Sequence, residues 1–328
     1  MPAKHSLRVQ FLKESLPGPQ LRQEVKRYQS AFASVETALN CELLTAKTWS
    51  ISNPRPILEG NSQSSTNIRS VARALSNKSR QETHDGNFNI AIEDGCQCLK
   101  LRIPLSRSGL IVDALVGHAF ESIALTPIQN ATAGASSEKL RKALAVLKEM
   151  DALPDDAKWI CQQEKEEMWR HLNWKQRLSL WLMEDTYEAL DHNLKHSFRR
   201  HCVLRRQLII SIALELFRRD QQRYPQVLSD LVPQYLDSIP QDPFASEDSD
   251  GSFKYALEKD GPTLRLYSIG PNGVDDGGQL NEMNYWDIET GDINFREWVR
   301  ISNEEYRSFA LAELKTAKEN GLVEPVEE

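Results

Sequence analysis

Residues 223–244 read RYPQVLSDLVPQYLDSIPQDPF and contain four prolines, Pro225, Pro233, Pro240 and Pro243. Proline fixes φ and lacks an N–H, so no long helix can run through this stretch. Just before it, residues 203–222, VLRRQLIISIALELFRRDQQ, set Leu204, Leu208, Ile212 and Leu216 at four-residue steps, the spacing of one apolar helical face. Just after it, Phe253–Leu257 and Leu264–Ile269 have strand character. Asp260-Gly261-Pro262 between them is a turn signal for an antiparallel pair. A helix, a proline-punctuated connection and a small antiparallel sheet make an α+β module over 202–300.

Working backwards, residues 20–201 read as helical, either a bundle or an irregular solenoid of successive hairpins. Leu21, Val25, Tyr28, Phe32, Val35 and Leu39 recur at three- and four-residue steps, which predicts a helix from Gln20 to about Trp49. Asn53-Pro-Arg-Pro stops it, and GNSQSSTN from Gly60 reads as an exposed polar linker before periodicity returns over 68–79. FNIAIEDGCQCLKLRIPL, residues 88–105, fits either a helix interrupted at Gly95 or a pair of short strands; its helical neighbours favour the helix, and Pro104 should end it. Residues 110–126 are apolar on several sides, as a central helix would be, and 137–150 open with a cap-like Ser-Ser-Glu-Lys. A long helical stretch from Asp155 carries Trp159, Trp169, Trp174 and Trp181, which are expected to seal contacts between helices. Residues 1–19 read as a flexible N-terminus and 301–328 as an acidic tail.

Composition narrows the function classes. Hydrophobic residues are 40% and charged residues 27% of 328, the balance of a globular chain. A formal net charge of −7 argues against a dedicated nucleic-acid binder, which would carry a basic surplus. The five cysteines, Cys41, Cys96, Cys98, Cys161 and Cys202, are odd in number and scattered, so free thiols are expected rather than a disulfide framework. No apolar run reaches the length of a membrane span, and MPAKHSLRVQFLKESLPGP lacks a continuous apolar core for a signal peptide. The expectation is therefore a cytoplasmic protein if Met1 is the true start, with membrane association only through an anchor upstream of it.

The order Arg223-Tyr-Pro, Ile239-Pro-Gln-Asp-Pro, Phe253–Leu257 and LYSIGPNGVDDGG (266–278) resembles the C-terminal half of the major pseudopilins of type II secretion, over about residues 203–295. The helical part is similar to that of uncharacterised bacterial proteins in which such a tail follows a helical domain. The resemblance implies a structural calcium ion in the glycine-rich loop, held by Asp275 and Asp276, with Ser268 at the loop's mouth and Asp292 in the later Asp-Ile element. It also implies a periplasmic or envelope location. Calcium takes six to eight oxygen ligands, which paired aspartates and inward carbonyls can supply. The residues alone fit equally a tight turn, because Pro-Asn-Gly and Asp-Gly-Gly are turn formers without any ion. Pseudopilins open with a basic leader and an apolar assembly helix. Here about two hundred mostly helical residues stand in that place, so fibre assembly is not expected.

Other chemistry is thinner. Glu188, His192 and His196 recur every four residues along one helical face, the spacing at which side chains can share a metal, and carry the alternative of a metal-dependent hydrolase. No His-Glu-x-x-His pattern accompanies them. The acidic stretch SEDSDG from Ser246 lacks the terminal Glu of a calcium-binding helix–loop–helix. Lys195, Arg199, Arg200, Arg205 and Arg206 read as the solvated side of a helix balanced by EDTYEALD before them, or as a patch for anionic lipid or an acidic partner. No phosphate-binding loop and no Gly-x-Ser-x-Gly elbow is present. The expectation is a non-catalytic protein acting through an unspecified protein partner.

Overall fold

The computed structural model describes residues 25–26, 28–39, 62–106, 111–153, 157–171, 173–174, 184–245, 250–257, 264–278 and 291–295. The expected flexible start (1–19), the acidic tail (301–328), Trp181 and residues 246–249 lie outside these. In chain order the helices are α1 (Gln29–Leu39), α2 (Ser62–His84), α3 (Phe88–Lys100), α4 (Arg102–Ser106), α5 (Ile111–Thr132), α6 (Ser137–Asp151), α7 (Ala157–His171) and α8 (Glu184–Gln221). A 3-10 turn at Leu228–Leu231 and two strands, β1 (Lys254–Leu257) and β2 (Leu264–Tyr267), follow. The fold is mostly helical with a small two-stranded antiparallel sheet, an α+β arrangement.

α5 is the axis of the helical region, packing against α2, α3, α4 and α8. Its apolar residues point to several sides, so Val116, Phe120, Ala124, Leu125 and Ile128 are all buried. α3 comes close to it at Gly95, where an added Cβ would meet the Ile128 side chain at 2.5 Å. Ile111–Thr132 is long and apolar enough to cross a membrane, but 67% of its most apolar window is covered by the rest of the protein, as in a core helix. Ser136 caps α6, its hydroxyl accepting from the Lys139 N–H at 3.4 Å, which is the cap legible in Ser-Ser-Glu-Lys.

α8 is 38 residues long, about 57 Å at 1.5 Å per residue. The boundary expected at 201/202 falls inside it. Val203, Leu204, Leu208, Ile210, Ile212 and Leu216 are buried, each contributing roughly 1.5–3 kcal/mol. They belong to one continuous core that runs from Ala72 on α2 to Leu264, Ile293 and Phe295 in the module. A smaller cluster near the N-terminal end of α5 joins Ile111, Ala157, Ile160, Leu194 and Phe198.

β1 and β2 pair in the register Lys254↔Tyr267 to Leu257↔Leu264, and Ser268 extends the sheet by an antiparallel bridge to Ile293.

Four expectations change. The polar stretch from Gly60 is not a linker through its length, because α2 begins at Ser62; helix propensity is a weak prior that neighbouring structure overrides. Pro104 does not end a helix but sits in the first turn of α4, where its missing N–H costs nothing. Trp159 and Trp169 are partly exposed and Trp174 largely so, rather than buried between helices. Arg205 is buried, not solvated, because carboxylates from two other helices meet it. The thiols in the described residues are as expected: Cys96, Cys98 and Cys161 are buried, Cys202 is half-buried, and none of the four is in a disulfide, while Cys41 lies outside the described residues.

Candidate functional site

The loop after β2 begins at Ser268, which is fully buried. Its backbone exchanges two hydrogen bonds with Ile293, at 3.0 and 2.8 Å. Its hydroxyl donates to Asp242 Oδ1 at 2.8 Å and accepts from the Gly270 N–H at 3.1 Å. Asp242, from Ile239-Pro-Gln-Asp-Pro, also accepts from the Phe244 N–H at 2.9 Å. Ser268 therefore ties the proline-rich connection to the loop.

Two glycines set the loop's shape. Gly270, at φ +66°, passes so close to the Gly291 carbonyl that no side chain fits, and Gly278, at φ +77°, lies against the Tyr267 ring. Asp275 Oδ1 accepts from the Tyr267 hydroxyl at 2.9 Å and from the Gly277 N–H at 3.0 Å, and these bonds hold its carboxyl below the usual range. Asp276 Oδ2 accepts from the Asn272 amide at 3.4 Å.

Asp292 is different. It is 2% exposed, and while Oδ2 accepts from the Gly278 N–H at 2.6 Å, its buried Oδ1 has no hydrogen-bond partner. Burial pushes its carboxyl up and the charges of Asp275 and Asp276 push the same way, against the backbone N–H groups of Gly278 and Asp276. A buried carboxylate oxygen without a hydrogen bond, in the field of two further carboxylates, is disfavoured in its charged form and would be favoured by a nearby positive charge.

The donor set is all oxygen, which suits a hard cation and not zinc. Among the described residues no three His, Cys, Asp or Glu side chains are grouped to hold a metal as they stand. A cation here would draw Asp275 and Asp276 away from their present hydrogen bonds.

Of the second sequence candidate, only the His196 side chain lies within the described residues. His196 is half-buried on α8, its ring lying over Phe244 of the module with centroids 6.3 Å apart. Glu188 and His192 lie on the same helix, with side chains outside the described residues.

Sequence reading missed a buried ionic network. Glu121, on the mostly apolar α5, is fully buried; its Oε1 accepts from Arg205 Nη1 at 2.6 Å, and Arg102 Nη1 stands as an ion-pair partner 3.1 Å from Oε2. His118 Nδ1 stands 3.6 Å from the same Oε2. Burial alone would raise the Glu121 carboxyl, but Arg205 and Arg102 hold it well below its ordinary value. Arg205 Nε reaches Asp151 at 3.0 Å, and Arg206 Nε contacts both oxygens of that carboxylate at 3.1 and 3.0 Å. The His118 and His201 rings stack at 4.5 Å, and Ser122 Oγ is 3.2 Å from His201 Nδ1. The usable signal was a Glu in the middle of a mostly apolar helix.

No family model matches the chain, and no curated protein or solved structure is detectably similar to it.

Proposed function

We propose that this chain is a non-catalytic, mainly helical protein that works by docking a protein partner, with a pseudopilin-like C-terminal module stiffened by calcium in the 268–278 loop. The carrying observation is the buried, unpartnered Asp292 Oδ1 beside Asp275 and Asp276. The order of elements supports the likeness: a long helix, a Tyr-Pro turn, the Ile-Pro-Gln-Asp-Pro connection held to the loop by Ser268, a hairpin, and a glycine-rich loop closed on Asp292. The helical region supplies the docking surface, and the ion fixes the module's loop. Extracellular-type calcium sites fill at roughly 10⁻⁴ to 10⁻³ M, which favours the bacterial envelope as the working compartment.

The test is a calorimetric calcium titration of the full chain beside the Asp275→Ala/Asp276→Ala double variant. Saturable binding with a raised melting temperature, both lost in the variant, is expected. Absence of binding at millimolar calcium would leave the loop a bare acidic turn.

A further inference from the structure

Three consecutive residues of α8 point to three different parts of the molecule. Arg205 binds Glu121 of α5 and Asp151 of α6. Arg206 binds Asp151 and, through Nη1, the Gln241 carbonyl at 2.8 Å, next to Asp242. Gln207, 1% exposed, donates from Nε2 to the Ile293 carbonyl at 2.6 Å and accepts from the Phe295 N–H at 2.7 Å on Oε1. Ile293 directly follows Asp292, and Ser268, its bridge partner, is bonded to Asp242. Both flanks of the acidic loop thus end on one turn of α8, and the same turn ends on the carboxylates of the helical body.

We propose that cation binding at Asp275, Asp276 and Asp292 is transmitted through Gln207 and Arg206 to the Glu121–Asp151 network, so that calcium regulates the rigidity of α5 and α6. The proposal rests on the calcium reading above and adds its regulatory consequence. A filled site fixes Asp292, hence the 292–295 segment on which both Gln207 bonds close. It also fixes Ser268 and Asp242, hence the Gln241 carbonyl that receives Arg206. Because Arg206 and Arg205 share Asp151, restraint of Arg206 reaches α6, and through Arg205 it reaches Glu121 on α5, while Gln207 acts on both arginines through the backbone of the same turn of α8. Coupling of this kind travels through contiguous bonded groups, and reciprocity requires that loosening α6 weaken calcium binding.

The experiment is amide hydrogen exchange of the full chain with and without calcium, with calorimetry on the same samples. Residues 114–151 should exchange at least about fivefold more slowly with calcium, the low end for coupled sites. In Arg206→Gln/Gln207→Leu, which cuts both branches, the slowing should vanish while calcium still binds; should that variant not fold, each single variant should keep only part of the slowing. A merely structural Gln207 would change exchange equally with and without the ion. Calcium binding that leaves 114–151 unchanged, or slowing that survives undiminished in the variants, overturns the coupling and leaves the site intact. No calcium binding in the parent chain overturns both.

Discussion

Arg205 on α8 and Glu121 on α5 meet at 2.6 Å with their side chains at most 1% exposed, and Arg102 closes on the other carboxylate oxygen. A buried ion pair gains little over an apolar replacement, but breaking one partner is costly. Glu121→Gln should therefore lose about 3–5 kcal/mol by urea unfolding, since it removes the buried negative charge on which two guanidinium groups close. Replacing Arg102, Glu121 and Arg205 together by apolar residues of similar volume should cost much less. A triple variant as unstable as the single one would show that the network contributes net stability.

Acid should unfold the protein in a staged manner. Burial pushes His201 down to about 3, with His118 adding, so the folded state keeps this ring neutral. Its contribution is present above the ordinary value of 6.5 and is lost as pH falls from there toward 3. Glu121 behaves likewise but later: its stabilisation is full above 4.5 and disappears only in strong acid. His201→Gln should flatten the stability profile between about pH 3 and 6.5, read by denaturant melts at stepped pH.

Asp94 gives the opposite slope. Burial raises it from 3.8 to about 6, despite Lys78 at 2.6 Å. The folded state then binds this proton more tightly than the unfolded one, so stability declines from pH 3.8 to 6 and is flat above. Between those limits Asp94→Asn should gain on the parent by roughly 3 kcal/mol, the equivalent of about two pKa units.

Gly278→Ala tests how tightly the loop is packed. A Cβ there would stand 2.6 Å from the Tyr267 ring, whereas one at Gly273, also at positive φ, would meet open space. Gly273→Ala should cost only backbone strain, about 1–2 kcal/mol. Gly278→Ala should cost more and should displace Tyr267 from Asp275. Equal losses by thermal melting would mean that the ring moves freely.

Much of the architecture was legible because periodicity and punctuation agree locally. Leu204, Leu208, Ile212 and Leu216 marked α8, and Asp260-Gly261-Pro262 marked the hairpin. What was not legible depends on partners distant in sequence. Nothing near Arg205 in the chain announces that Glu121 and Asp151 will enclose it, so local charge pattern put it in solvent. Asp292 was singled out by resemblance, but its unpaired Oδ1 arises only from burial beside Gly278. Tryptophan composition likewise cannot tell a buried ring from Trp174, which is 70% exposed.

The unbroken run of α8 past residue 201 also bears on how the chain can be divided. A cut between Cys202 and Val203 leaves Glu121 and Asp151 on one piece, and Arg205, Arg206 and Gln207 on the other. Each fragment then carries half of a charge lock and half of a shared apolar face. Neither should be a well-behaved protein by itself, but mixed together they should recombine, which makes this position a natural split point for reconstitution in trans.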